Sequence, residues 1–165
     1  MAPVCTIMVR RVDDWLKVVA DRDDIIINPE YLEWAGIAVM KNAYALYRQR
    51  DFRTRLQVAA YRNHHHWSQF IGADRIATIP YRWAVRYNGS DLSPESRIDD
   101  PVDPAIVNEL LAKFEDFGKA YHADGMTEGE FDTYGATVRT LRGFITSYVD
   151  LVGVVREIIL PNPDL

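Results

Sequence analysis

The chain has 165 residues, 48% hydrophobic and 26% charged, enough for one domain with a real core and ordinary for a globular protein. Its formal charge of −5 speaks against a general nucleic-acid binder, and no apolar run nears the roughly 20 residues of a membrane span. A single cysteine, Cys5, leaves no intramolecular disulfide and fits a reducing compartment, and no signal-peptide pattern opens the chain, so the expected location is cytoplasmic.

Residues 3–9 are the first candidate strand, followed at once by Arg10 and Arg11. Residues 12–21 read as a helix with Val12, Trp15, Leu16 and Val19 on one face. Asn28-Pro29-Glu30 is a helix-start signal: a capping side chain, a proline for the first position and an acid for the positive end. The helix it opens is expected over 29–49, with Gly36 a local weakness of about 1 kcal/mol relative to alanine.

The stretch 55–82 is the most informative. Leu56 to Tyr61 is a short, almost wholly apolar run, which suits a strand of a parallel sheet buried on both faces. It ends abruptly at Arg62-Asn63; a short amphipathic helix, a turn at Gly72-Ala73-Asp74 and a third strand over 75–79 follow. Strands alternating with helices predict an α/β fold with a parallel sheet. In such folds the chemistry gathers at the carboxyl ends of strands, which singles out Arg62.

Residues 81–87 predict one or two helical turns, and 89–103 a polar surface loop. Asp103-Pro104 opens a helix over 105–117, and Thr127 to Glu130 has capping-box spacing. The last helix, about 132–159, carries Tyr134, Val138, Leu141, Ile145, Tyr148, Val152, Val155 and Ile159 in steps of four and three. The seam predicts a helix lying lengthwise on the domain, with a helix–helix dimer contact as the alternative.

Three segments together resemble one known family. TIMVRRVDDW (6–15) is similar to the transaldolase segment in which a strand ends in Gly-Arg and runs on to Asp-Trp. VAAYRN (58–63) resembles that family's Ala-Ser-Phe-Arg-Asn strand end, and IGADRIATIP (71–80) its last barrel strand, with Gly-Cys-Asp before an apolar Thr-Ile run. The order and spacing match too. The resemblance implies a (β/α)8 barrel that moves a dihydroxyacetone unit between sugar phosphates through a Schiff base on a strand lysine. It places the two phosphate-holding arginines on Arg11 and Arg62, and puts Thr6, Met8 and Asn63 in the substrate pocket. A guanidinium suits that role because it offers a planar fork of donors to a dianion and keeps its charge.

The chain departs from the family pattern at several points. The serine before the second arginine is Ala60, the glycine before the first is Arg10, and an aromatic is replaced by Met8, while Thr6 keeps a hydroxyl. Lys17, Lys41, Lys113 and Lys119 all fall in predicted helices, so the resemblance supplies no Schiff-base lysine and no catalytic residue is assigned. A full barrel takes about 250 residues. The expectation is therefore the C-terminal portion of a barrel, with about three strands over 1–88, a loop over 89–103 and helices over 104–165 packing on it. Such a chain would bind a phosphorylated sugar and contribute the phosphate half of an aldol-transfer site. It would be inactive alone, or catalytically empty and structural, with a homodimer or a complementing barrel half as partner. No cofactor, nucleic acid or membrane partner is expected. His64-His65-His66 is not a metal site on spacing, because adjacent side chains point apart; one of them could assist an anion. Asp13 and Asp14 read as caps of the first helix.

Overall fold

A computed structural model describes residues 3–160 and 162–164. Its sheet is parallel, in the order β1 (Val4–Met8), β2 (Arg55–Ala59), β3 (Ile76–Ala77). β2 is central. It pairs with β1 from Val4↔Arg55 to Met8↔Ala59, and with β3 through Gln57↔Ile76 and Val58↔Ala77. The strands are shorter than expected because the chain turns away as soon as its apolar side chains are placed. After β1 it enters α1 (Val9–Arg22) directly. After β2 it breaks at Ala60, whose φ of 66° is left-handed. That turn sends the Tyr61 side chain inward, fully buried, and leaves Arg62 exposed.

Alternation along a strand gives the two faces of the sheet different characters. Leu56 and Val58 are buried in the core with residues of α1 and of α3 (Ala35–Gln49). The opposite face carries a polar row. Thr6 Oγ1 donates to Gln57 Oε1 at 3.0 Å, and Gln57 Nε2 donates to Thr78 Oγ1. Thr6 and Thr78 are exposed, so the helices cover the Leu56–Val58 face and this row lies open.

α3 is the centre of the core, with every residue from Ala35 to Lys41 buried. The expected helix over 29–49 is two: α2 (Pro29–Leu32), capped by Asn28 onto the Glu30 N–H, and α3 after a break at Glu33 and Trp34. The break lets Gly36 approach the start of α1. A Cβ on Gly36 would stand 2.2 Å from the Val9 carbonyl oxygen, so this glycine is a requirement of packing as well as a weakness in propensity. α4 (His65–Ser68) and α5 (Tyr81–Asn88) follow, joined by stacking of Trp67 and Trp83 on Tyr87. The loop after α5 is anchored by buried Ile98 and Val102. The expected helix over 105–117 is also two, α6 (Pro104–Lys113) and α7 (Glu115–Tyr121), because Phe114 is extended and fully buried between them. A 3-10 turn (Glu128–Asp132) with the Thr127/Glu130 capping box leads to α8 (Gly135–Ile159).

The lengthwise packing expected of α8 is corrected. Gly135 abuts the Trp15 ring and Phe144 lies near Arg11, at 6.0 Å from guanidinium to ring centroid, so α8 runs antiparallel to α1. By Phe144 it has reached the first turn of α1, and the domain has no surface left to cover it. Ala136 and Thr140 are its buried residues; from Leu141 onward its side chains are exposed except for half-buried Val152.

Candidate functional site

The carboxyl ends of β1 and β2 are matched: Met8 and Ala59 are register partners, and Arg11 and Arg62 each lie three residues beyond. Arg10 and Arg11 stand in the first turn of α1 rather than on the strand end, with no side-chain cap and no acidic residue in that turn. Cations there oppose the helix dipole by about 0.3–1 kcal/mol each.

The segments carrying the two arginines are tied together by a buried pair. Asp13, on α1, accepts a hydrogen bond from His66 Nε2 through Oδ2 at 2.8 Å and another from the Gly36 N–H through Oδ1 at 2.7 Å. His66 Nδ1 accepts the Arg62 N–H at 3.1 Å, which places the ring proton on Nε2, facing Asp13. Both side chains are buried, at 0% for His66 and 2% for Asp13. Burial raises the Asp13 carboxyl above its ordinary value, against the opposing hydrogen bonds from His66 and Gly36. The pair therefore locks the turn after β2 onto the start of α1.

A second network braces the same turn. Asn63 Nδ2 donates to Glu33 Oε2 at 2.6 Å, and Asn63 Oδ1 accepts the His66 N–H at 3.1 Å. Glu33 also accepts from Lys17. Burial pushes the Glu33 carboxyl up, but the hydrogen bonds from Lys17 and Asn63 outweigh it and hold the group below its ordinary value. Both polar ends of the Asn63 side chain are thus bonded to protein.

The remaining expected site residues lie as follows. Thr6 is on the open polar row, and Met8 is the half-buried residue from which α1 starts. Arg62 is exposed, its Nη1 donating to the Tyr61 carbonyl at 3.0 Å. Arg11 lines a hollow between α1 and α8 with Arg10, Asp14, Lys17 and Arg139. Arg10 pairs with Asp14 at 2.6 Å across one helical turn. The backbones of Arg11 and Arg62 are brought to neighbouring positions; their side chains rest on different neighbours.

One sequence expectation changes here: Asp13 is a buried hydrogen-bond partner rather than a cap, and His66 is the one of the three histidines that bonds to it. Sequence patterns hid both, because the pair spans 53 positions and the histidine sits among two more. Among the described residues no group of His, Cys, Asp or Glu is placed to hold a metal ion. The four lysines are helical as expected, but Lys41 is not on the surface. It is buried beside a hollow of about 640 Å³ on the far side of α3, and burial lowers its pKa. Its Nζ donates to Gln69 Oε1 and to the carbonyls of Arg97 and Asp100 at 2.7–2.9 Å, so all three protons are spent on structure.

The sequence model of the Transaldolase/Fructose-6-phosphate aldolase family matches residues 2–128. The chain belongs to that family. The match spans the sheet, the Asp13–His66 pair and all the expected site residues, and ends before α8. It makes the protein transaldolase-like, of a family of carbohydrate-metabolising transferases. No curated protein and no solved structure matches the chain. No described helix is long and apolar enough to cross a membrane.

Proposed function

We propose that the carboxyl ends of β1 and β2 hold the phosphate of a phosphorylated sugar, with Arg11 and Arg62 as the ligating groups. The observation that carries this is the matched register: each arginine follows a paired strand end by three residues, and the Asp13–His66 bond fixes one segment to the other. Arg10 already pairs with Asp14, whereas Arg11 opposes the helix dipole at an uncapped helix start, a cost that a bound anion would offset. Arg62 is exposed and gives up one intrachain hydrogen bond when it turns to a ligand. Thr6, on the open face, offers a hydroxyl to the sugar, Met8 shapes the pocket floor, and Asn63 holds the turn that presents Arg62.

In this reading the parallel strands are an arc of a (β/α)8 barrel, with the polar row Thr6–Gln57–Thr78 on its inner wall. Strands in sequential order with helices on one face are what such an arc requires. The described residues up to 88 form the arc, 89–103 a connecting loop and those from 104 to 160 the helical remainder. The chain binds its ligand without covalent chemistry of its own, because its four lysines lie on helices and not at a strand end. Aldol transfer then needs an amine from a complementing barrel half or another copy. The setting is cytoplasmic, in keeping with central carbohydrate chemistry.

Calorimetric titration with fructose 6-phosphate and with fructose tests the reading. The phosphate ester binds and the free sugar does not; Arg62→Gln and Arg11→Gln each weaken binding tenfold or more. Borohydride leaves no covalent adduct on this chain. Equal binding of both sugars, or arginine variants with unchanged affinity, overturns the phosphate site, and a trapped adduct overturns its non-covalent character.

A further inference from the structure

The side of α1 that faces α8 carries more positive charge than its surroundings neutralise. The hollow there, about 460 Å³, is lined by Arg10, Arg11 and Lys17 of α1 and Arg139 of α8, with Asp14 as the one acid on its wall. Two of the four cations are already matched: Arg10 pairs with Asp14, and Lys17 with Glu33. Arg11 and Arg139 have no carboxylate within ion-pair distance among the described residues. Four cations against two carboxylates leave a charge of +2, on a chain whose net charge is −5. Like charges gathered in a partly enclosed hollow repel one another and focus their field on whatever enters it.

The walls are built to admit a ligand. The Arg11 guanidinium lies 6.0 Å from the Phe144 ring centroid, so it reaches towards α8, and its Nε is buried with no hydrogen-bond partner. A buried donor left without an acceptor is costly, and an anion supplies one. Arg139 is exposed. One helical turn further on, α8 borders the hollow with Gly143, where even a Cβ would meet no atom within 4 Å. The position is also distinct from the strand ends. Arg11 and Asp13 stand two residues apart, about 200° around a helix. Asp13 bonds to His66 in the segment after β2, so the hollow opens on the other side of α1.

We propose that the hollow between α1 and α8 binds a phosphate dianion, free or as a monoester, with Arg11 and Arg139 as its ligands. Two guanidinium forks match both the charge and the spread of oxygens on such a group. The hollow is several times larger than a bare phosphate, so the carbon skeleton of an ester fits beside it. Arg139 lies beyond the family match, and the site makes no use of Arg62. Arg11 serves one anion or the other, so the hollow and the strand ends compete for it.

Amide NMR spectra of the isotope-labelled full chain test the proposal, in an Arg62→Gln background that disables the strand ends. Inorganic phosphate at slightly alkaline pH shifts the Gly143 amide saturably, and glycerol 3-phosphate does the same. Sodium chloride at matched ionic strength does not. Adding Arg139→Gln raises the calorimetric dissociation constant for inorganic phosphate at least tenfold. Gly143→Asp, which sets a carboxylate in the hollow, has the same effect. Both positions are exposed, and unchanged far-UV circular dichroism shows that the variants keep their fold. If one of the two phosphates binds and the other does not, the site stands and its source is identified. No saturable shift at Gly143 with either phosphate, an equal shift with chloride, or unchanged affinity in either variant overturns it. Failure of the strand-end reading shows elsewhere, as fructose 6-phosphate binding that ignores Arg62→Gln.

Discussion

At the scale of single residues, the Asp13–His66 pair decides most. A buried carboxylate needs its donors. Removing one leaves an uncompensated group in the core, which costs about 3–5 kcal/mol. His66→Ala is therefore expected to lower the unfolding free energy by about 3 kcal/mol in urea titration and, by freeing the Arg62 N–H, to loosen the turn after β2. A loss under 1 kcal/mol would mean that the pair is not a strut. His65, next in the chain, makes a pH prediction. Burial first, then the neighbouring His64 and His66, lower its pKa from the ordinary 6.5 to about 4. The unfolded chain therefore binds more protons than the folded one between those values. Stability is full above pH 6.5 and falls as the pH drops towards 4, and His65→Phe flattens that slope in thermal melts at pH 7, 6 and 5. Little of this was legible beforehand. Asp13 carried the local signature of a helix cap, and nothing in three consecutive histidines says which one faces inward. Arg11 and Arg62 stood out because each follows an apolar run, a signal that gives position along the chain but not the direction of a side chain.

At the scale of elements, periodicity and capping located the three strands, α1, α4, α5 and the Thr127/Glu130 box. They overestimated helix length twice, over 29–49 and 105–117. In both cases the helix breaks where tertiary contact outweighs local preference: at Glu33 and Trp34, just ahead of the buried start of α3, and at Phe114, whose burial needs an extended residue. Gly36 shows the same competition. Replacing it with alanine improves helix propensity by about 1 kcal/mol, but the new methyl meets the Val9 carbonyl at 2.2 Å. Gly36→Ala is expected to destabilise the chain by about 1–3 kcal/mol, from strain between α1 and α3. A stabilised variant in the same urea titration would show that the two helices can part without cost. The α8 seam was visible in the sequence, but its exposure was not, because a heptad pattern states that a helix has an apolar side and not whether its own domain reaches that far.

At the scale of the whole molecule, family membership and a parallel α/β sheet were both legible from three short motifs in register. So was the number of strands; the length of β3 was not, since only two of the five residues expected there form strand. The sheet's uncovered face has one further consequence. Its central row is built from threonine hydroxyls and a glutamine amide that bond to one another sideways across the strands. A wall of this kind can be wetted without the free-energy penalty that valine or leucine would incur there. A sheet face lined in this way can stand open to water without a covering layer, where an oily one would clump.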